Sequence, residues 1–503
     1  MSELFGRLDY AQMAPIGFRL IEKGAITLFG TSEYALRLFP LVSSLAALPL
    51  FWVTARHILA GWAATYAVGL FALGMPFIFL AQQVKQYSSD VTAAIVILLM
   101  VFHVRERGVT TRRAWTIGAA GAVIAWCSQP AVFVLAAGGI ALLAMVVERR
   151  DWRAARTLAI TGTLWTAGTA GAALHALRHV SDSDLQYFRW FWSGGFMPFP
   201  PTTPGEAVWV INKLTWAFGA FAADLSRAGG GLNYRWSWVF TSVCLLGLWT
   251  LLRRHRVAGI TISLSMLLAA ALSAAEIYPF TARLFAFLLP GLLIATAAGA
   301  ERLLSIWPAR LRALSPVALA LLGGAPVYAA ATSLPPYRPQ HTRPLIEHLA
   351  ERYTPGDAVY IYYGAGQAFR YYQGRGLISL PSQEVLMGRC ETESPRAYLQ
   401  QLDPLRGRSG VWVLVSTTAA TGSPAALIVA YLDRIGARRE TLLMAGTQGH
   451  PVEAAMLYRY DLSDRARLAT ASVETFPVGP GLGGAADRQW QCWGVGIPDG
   501  ERK

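Results

Sequence analysis

Lys85-Gln86-Tyr87-Ser88-Ser89-Asp90 puts a cation, a phenol, two hydroxyls and a carboxylate into one short stretch between two apolar runs. A cation can hold a phosphate and stabilise charge that develops on it. A carboxylate can take the proton of an attacking hydroxyl. The same residues can also make a polar turn that caps the next helix, although Lys and Asp at a membrane edge are more than a turn needs. A second group is Glu276-Ile277-Tyr278-Pro279-Phe280-Thr281-Ala282-Arg283. Arg283 falls about one turn inside an apolar run, where its guanidinium can bind a phosphate in bidentate fashion or snorkel to the surface. A third is Asp9-Tyr10-Ala11-Gln12-Met13-Ala14-Pro15-Ile16-Gly17-Phe18, which precedes the mixed segment Arg19–Gly30. This stretch reads as an interfacial helix that anchors the fold or as part of a substrate site. Thr31 or Ser32 is placed to cap the first span. The loop 178–235 gathers Tyr187, Phe188, Trp190, Phe191, Trp192, Phe196 and Phe199, then Trp209 and Trp216. Interfacial anchoring is the plain reading; stacking on a sugar or gripping a lipid tail is the sharper one.

The elements that must position these groups are apolar helices. Of the 503 residues, 54% are hydrophobic and 15% charged, against about 25% charged in ordinary soluble domains. A bilayer hides such a surface one helix of about 20 residues at a time. The sequence predicts ten spans: 35–54, 61–81, 90–104, 115–128, 130–148, 157–177, 236–253, 257–275, 281–300 and 313–333. Ser128-Gln129-Pro130 splits one apolar stretch in two, because proline restricts the residue before it and lacks a backbone donor.

The net charge of +14 would suggest nucleic acid in a soluble chain. Here the arginines sit in short loops: Arg105, Arg107, Arg112 and Arg113; Arg149, Arg150, Arg153 and Arg156; Arg253, Arg254 and Arg256; Arg302, Arg310 and Arg312. That is positive-inside patterning, and it argues against a nucleic-acid partner. It puts these loops in the cytoplasm. The polar groups above, the long aromatic loop and the C-terminal part then lie outside, as expected of a multi-pass plasma-membrane protein (the inner membrane, where there are two).

Residues 1–334 are therefore expected to form the transmembrane domain and 335–503 a soluble extracytoplasmic α/β domain. In the latter, Val359–Tyr363 and Val411–Val415 read as buried strands. Arg343–Tyr353 and Pro424–Ile435 read as helices, with Gly436 as a stop. Gly364-Ala365-Gly366 follows a strand but lacks the third glycine of a dinucleotide fingerprint. Cys127 and Cys244 fall in apolar runs. Cys390 and Cys492 fall in the soluble domain, where a disulfide between them is an expectation of the oxidising compartment. No Cys/His spacing suggests zinc.

The three polar groups, in this order, resemble the GT-C membrane glycosyltransferases. The likeness is closest to the glycosyltransferase family 39 group of protein mannosyltransferases and its bacterial relatives acting on lipid A and other envelope acceptors. Gln12-Met13-Ala14-Pro15-Ile16-Gly17-Phe18 resembles their loop after the first helix. Gly30-Thr31-Ser32-Glu33-Tyr34-Ala35-Leu36-Arg37-Leu38-Phe39-Pro40 resembles the family's approach to the next span. Lys85–Asp90 resembles the second outer-loop motif, and Tyr278-Pro279-Phe280 with Arg283 the late one. The likeness covers about residues 8–300.

The resemblance implies a mainly α, polytopic GT-C-like bundle. It also implies inverting transfer of a sugar from a polyprenyl phosphate to a glycan, lipid or protein acceptor, at the outer face among membrane lipids. By the same resemblance Lys85 and Arg283 hold the donor phosphate, and Gln12, Tyr87 and Tyr278 shape the substrate site. Asp90 is the candidate catalytic carboxylate, with Asp9 a weaker one. A divalent cation is compatible with that carboxylate; no metal ligand set is assigned. The family's first-loop acids lie upstream of the Pro15 region, where this chain has Glu3 and Asp9 alone. Ten spans also put the N-terminus outside without an export signal, so a further helix is expected before Met1. The rival readings are a polytopic transporter or lipid flippase, which would show paired broken helices in two related halves, and an envelope assembly protein with impaired catalysis.

Overall fold

The structure is a computed structural model, and it describes residues 13–221, 232–332, 341–391, 395–416, 424–444 and 455–477. Asp9 and Gln12 lie outside the described residues, as does Cys492. The chain divides into two compact units, one within Gln12–Thr332 and one within Ser333–Lys503.

The first unit is a helical bundle. An amphipathic helix, α1 (Ile16–Phe29), buries Ile16, Phe18, Glu22 and Ala25. Ser32 then accepts a hydrogen bond from the Ala35 amide and caps a single turn, Glu33–Leu36. The first span, α2 (Leu38–Arg56), begins only after that turn. There follow α3 (Trp62–Ala72) and α4 (Met75–Ala81), bent by 50° at Leu73-Gly74. Next come α5 (Tyr87–Arg107), α6 (Thr111–Cys127), α7 (Ala131–Glu148) and α8 (Trp152–Leu177). The aromatic loop carries α9 (Asp182–Phe191) and α10 (Trp209–Gly219). The bundle closes with α11 (Leu232–Arg254), α12 (Arg256–Ala274), α13 (Leu289–Ser305) and α14 (Ser315–Thr332).

Each of the ten expected spans corresponds to a helix or a bent pair. Seven are long and apolar enough to cross a bilayer, and the bent pair α3/α4 makes up to eight. The other two, α6 and α8, are helices but fall outside that count. They are rich in Ala, Gly and Thr and pack on each other: Trp165 Nε1 donates to Ile117 O at 3.0 Å, and Thr161 Oγ1 to Ala114 O at 3.0 Å. Lipid tails are as apolar as leucine, so close packing rather than the hydrophobic effect joins helices in a membrane, and small residues favour it. The crossing of α11 and α13 is the extreme case. A Cβ on Gly247 would collide with Ala295 O, and one on Gly299 with Val243 O.

Two local departures from expectation have clear causes. The helix expected from residue 90 starts at Tyr87, because the Asp90 amide already donates to Gln86 O at 2.8 Å. Tyr87, Ser88, Ser89 and Asp90 are therefore a first helical turn, not a loop. The span expected from 281 opens as a 3-10 helix, Ala282–Leu288, and becomes α-helical at Leu289 with Pro290 in its first turn. Proline lacks the amide that an α-helical bond to residue 286 would need, and its place is at a helix start.

The arginine-bearing loops gather at one end. His57 Nδ1 lies 2.7 Å from Glu106 Oε2, Arg105 donates to His57 O at 3.4 Å, and Arg256 pairs with Glu148 at 2.8 Å. The turn Ser128-Gln129-Pro130, the start of α5 and the loop before Arg283 share the other end.

The second unit is a five-stranded sheet with helices on both faces. Its strands are β1 (Ala358–Ile361), β2 (Val385–Met387), β3 (Val411–Ser416), β4 (Ala437–Met444) and β5 (Ala455–Asp461), in the order β2-β1-β3-β5-β4. β1 is parallel to β2 and β3; β5 is antiparallel to β3 and β4. One face meets Leu345, Ile346 and Leu349 of the helix Arg343–Arg352; the other meets Leu427, Ile428 and Tyr431 of the helix Pro424–Ile435. This is the α/β layer fold that the strand and helix signals predict. Gly366 opens a helix, Gly366–Gly374, after a 3-10 turn. Cys390 is disulfide-bonded, and Cys127 and Cys244 are free thiols.

Candidate active site

The site is built where α5 meets the 3-10 segment Ala282–Leu288. The start of α5 is fixed on two sides. Ser88 Oγ donates to Pro40 O at 3.1 Å and Thr92 Oγ1 to Ser43 O at 2.9 Å, which joins it to α2. Gln86 Nε2 donates to Met13 O at 3.2 Å, which joins it to the segment before α1. The sequence motifs around Pro15 and around Lys85 thus meet in space.

Arg283 reaches across to α5. Its guanidinium carbon lies 5.2 Å from the centre of the Tyr87 ring and 5.6 Å from that of Trp192. Two aromatic faces hold the cation by their ring quadrupoles and fix its position. Its Nε has no hydrogen-bond partner, and no carboxylate pairs with it among the described residues. Lys85 is close by in the loop before α5. Burial, and then the charge of Arg283, lower its ammonium pKa to about 8. Two partly buried cations thus stand together, an arrangement whose charge an anion can neutralise.

Asp90 lies one turn along α5 from Tyr87 and is buried. One of its carboxylate oxygens has no hydrogen-bond partner. Ser128, in the break between α6 and α7, faces it and is buried with its own hydroxyl unpartnered. Tyr278 stands near both Asp90 and Tyr87, but its hydroxyl donates to Leu284 O at 2.8 Å and its ring packs edge-on against Phe133 at 4.9 Å. Tyr278 is therefore a wall of the site that braces the 3-10 segment, not a free hydrogen-bonding hand.

The aromatic loop supplies the remaining side. Gly195 O accepts from the Phe280 amide at 2.8 Å and from Ser273 Oγ at 3.1 Å. A Cβ on Gly195 would meet Thr281 at 2.5 Å and Pro279 at 3.1 Å, so glycine allows the two loops to touch. Lys213 donates to Gly194 O at 2.6 Å, and Arg189 lies 3.9 Å from Glu276. These contacts bring Trp192 to Arg283. Sequence reasoning missed Trp192 and Ser128 as site residues. It also missed Glu22, a buried carboxylate on α1 with neither oxygen hydrogen-bonded, whose pKa burial raises to about 7.

Among the described residues no group of three or more His, Cys, Asp or Glu side chains is arranged to hold a metal ion. The surroundings of Asp90 offer one carboxylate, phenols and a serine, a poor cage for a divalent cation, which prefers several oxygen ligands including carboxylates.

No protein-family model and no curated protein matches the chain. Among solved structures it is similar to ArnT from Cupriavidus metallidurans in the apo state, at 13% identity over 89% of this chain and 87% of that one, with a TM-score of 0.45. It is similar to the same protein bound to undecaprenyl phosphate, at 13% identity over 90% and 88%, with a TM-score of 0.46. It is also similar to an oligosaccharyltransferase from Archaeoglobus fulgidus in the apo form, at 13% identity over 90% and 67%, with a TM-score of 0.47. Similarity at this level leaves the chemistry to be argued from the chain's own residues.

Proposed function

We propose that the chain is a GT-C-type membrane glycosyltransferase that moves a sugar from a polyprenyl-phosphate carrier to a hydroxyl of an envelope acceptor. The observation that carries this reading is the Arg283 guanidinium held between Tyr87 and Trp192, beside Lys85 and one helical turn from a buried carboxylate. The ordered motifs of the sequence support it. So does the gathering of arginine-rich loops at the opposite end, since the positive-inside rule expects such an end in the cytoplasm and therefore favours a site on the outer face. The transporter reading expects paired broken helices; among the described residues one bent pair is found.

In this mechanism the donor phosphate sits against Arg283 and Lys85, with Tyr87 and Trp192 fixing the guanidinium. The acceptor oxygen attacks the anomeric carbon from the face opposite the phosphate. A bond forms from that oxygen to the carbon, and the carbon–phosphate-oxygen bond breaks with its electron pair leaving on the lipid phosphate. Asp90 takes the acceptor proton. The configuration inverts. The two cations stabilise charge that grows on the leaving phosphate, and removing such a stabiliser typically lowers the rate about 100- to 1,000-fold.

The test is transfer of labelled sugar from a polyprenyl-phosphate donor by the full chain in liposomes. Arg283→Ala is expected to lose about 100- to 1,000-fold in turnover while still inserting and eluting as a single species. Near-normal turnover in that variant would refute the assignment.

A further inference from the structure

At the arginine-rich end of the bundle, three segments meet on one guanidinium. Arg105, in the last turn of α5, donates to His57 O, just past α2, at 3.4 Å. Its other terminal nitrogen lies 3.4 Å from His255 Nδ1, in the link between α11 and α12. Both contacts are long for a hydrogen bond, and a guanidinium carries five N–H donors. His255 Nδ1 must accept here, because arginine cannot, so this imidazole is neutral with its proton on Nε2. Burial, then Arg105 and Arg254, hold its pKa below the ordinary value, in agreement with that tautomer. Among the described residues no carboxylate pairs with Arg105. Glu106, next in sequence, is taken by His57 at 2.7 Å, and Glu148 by Arg256 at 2.8 Å. Positive-inside patterning accounts for exposed arginines such as Arg56, Arg107 and Arg254. It does not account for a half-buried one drawn between helices and left unneutralised. Two neighbouring arginines mark the depth of this place. Arg56 lies over the Trp52 ring at 5.7 Å and Arg253 over the Trp249 ring at 5.9 Å, each one turn further along its own helix than the ring. A tryptophan with a cation on its face belongs at the headgroup level, so the helix ends around Arg105 open at the depth of lipid phosphates.

We propose that the ends of α2, α5 and α11 form a binding site for the phosphate of an anionic phospholipid from the adjoining leaflet, with Arg105 at its centre and Arg254 beside it. A phosphodiester supplies the acceptors that Arg105 lacks, in the bidentate geometry that a guanidinium favours. Basic pockets between membrane helices suit such headgroups. The acyl chains lie along the apolar flanks of the same helices, where Val53 of α2 and Leu252 of α11 are exposed. Bound there, the lipid ties three helices together at the end away from Asp90. The site does not depend on the glycosyltransferase reading, and each can fail without the other.

The test titrates the full chain in a neutral detergent with phosphatidylglycerol and counts bound lipid by native mass spectrometry. Wild type is expected to hold one phosphatidylglycerol at concentrations where it retains no phosphatidylcholine; equal retention of both would overturn the proposal. Arg105→Gln should weaken binding about 10-fold or more. Arg254→Ala, at an exposed position, should weaken it about 5-fold, so a folding defect at Arg105 does not decide the result. Arg153→Ala removes the same charge from the start of α8 and should bind as wild type does, because a distant exposed charge is screened. Equal weakening in all three variants would mean diffuse attraction to a basic surface and would overturn the site. Unchanged binding in both Arg105→Gln and Arg254→Ala would overturn it too. Arg283→Ala should also bind as wild type; loss there with retention in Arg105→Gln would put the lipid at the other end of the bundle. Inorganic phosphate separates the sources of the anion: failure to displace the lipid in excess supports a phospholipid, and displacement at equal concentration would reassign the site to a water-soluble phosphate.

Discussion

The two ends of the helical bundle handle their charges in opposite ways. At the arginine-rich end, Glu106 is matched with His57 and Glu148 with Arg256. At the other end Asp90, Ser128 and the Arg283 Nε are held among apolar and aromatic side chains with hydrogen-bonding capacity unused. Leaving a buried polar group unpaired costs about 1–3 kcal/mol, and more for a charge. A fold that leaves the buried Asp90 with an unpartnered oxygen at one end and pairs Glu106 and Glu148 at the other fits the proposed division between an end that holds the bundle in place and an end that takes ligands. Helix ends near a membrane surface need charge for orientation; nothing in that need explains a buried carboxylate with an unpartnered oxygen.

The sharpest way to break this contrast is Asp90→Asn. The amide has the carboxylate's shape but accepts no proton, so transfer should fall about 100- to 10,000-fold. Because an unpaired buried charge is removed, the melting midpoint of the purified protein should hold or rise. A large loss of stability with it would make Asp90 a structural group and erase the difference between the ends.

Lys85 gives the next test. Its folded pKa, about 8, lies below the ordinary lysine value of 10.5. Between those values the unfolded chain carries more protons than the folded one, so this residue makes stability rise with pH across that window. Donor binding should run the other way, since the cation is lost as pH passes 8. A pH profile of kcat/KM should therefore turn down on the alkaline side in the wild type, and Lys85→Arg should keep it flat, because arginine stays charged.

Trp192→Ala should be milder. It removes one of the two rings that hold Arg283, an interaction of about 0.5–2 kcal/mol, and should raise KM for the donor several-fold with the fold intact. Glu106→Gln, at the arginine-rich end, should do least. Its partner is partly exposed, and such pairs are worth about 0–1 kcal/mol. Turnover should match the wild type; a loss comparable to that of Trp192→Ala would show that both ends serve the reaction.

Much of the bundle was legible because membrane helices announce themselves as apolar runs, and because Pro130 marks the break that turns α6 back into α7. The strands Val359–Tyr363 and Val411–Val415 were legible as short apolar runs bounded by polar turns. Lys85, Asp90 and Arg283 were singled out by charge and placement and Tyr87 and Tyr278 by the family resemblance, and the structure brings all five together. The Tyr278 hydroxyl is nevertheless committed to the backbone. What could not be read has physical reasons. Trp192 looked like its aromatic neighbours because rings that sit at a bilayer surface and rings that hold a guanidinium are the same residue types. Ser128 looked like a helix stop, and nothing local reveals that a stop points at a carboxylate in another helix. Glu22 has the pattern of any amphipathic helix, and its burial comes from packing. Asp9 and Gln12 lie outside the described residues and take no part in this comparison.

The crossing of α11 and α13 bears on how the proposed donor, with its long isoprenoid tail, would get in. Their backbones touch at Gly247 and Gly299 with no side chain between them. Parting these two helices would sacrifice a continuous backbone seam, and nothing flexible lies between them to take up the motion. They behave as a keel. On the proposed function a carrier lipid would slip into the site through a looser seam of the bundle, and drugs or detergents that wedge helices apart should find no purchase along this one.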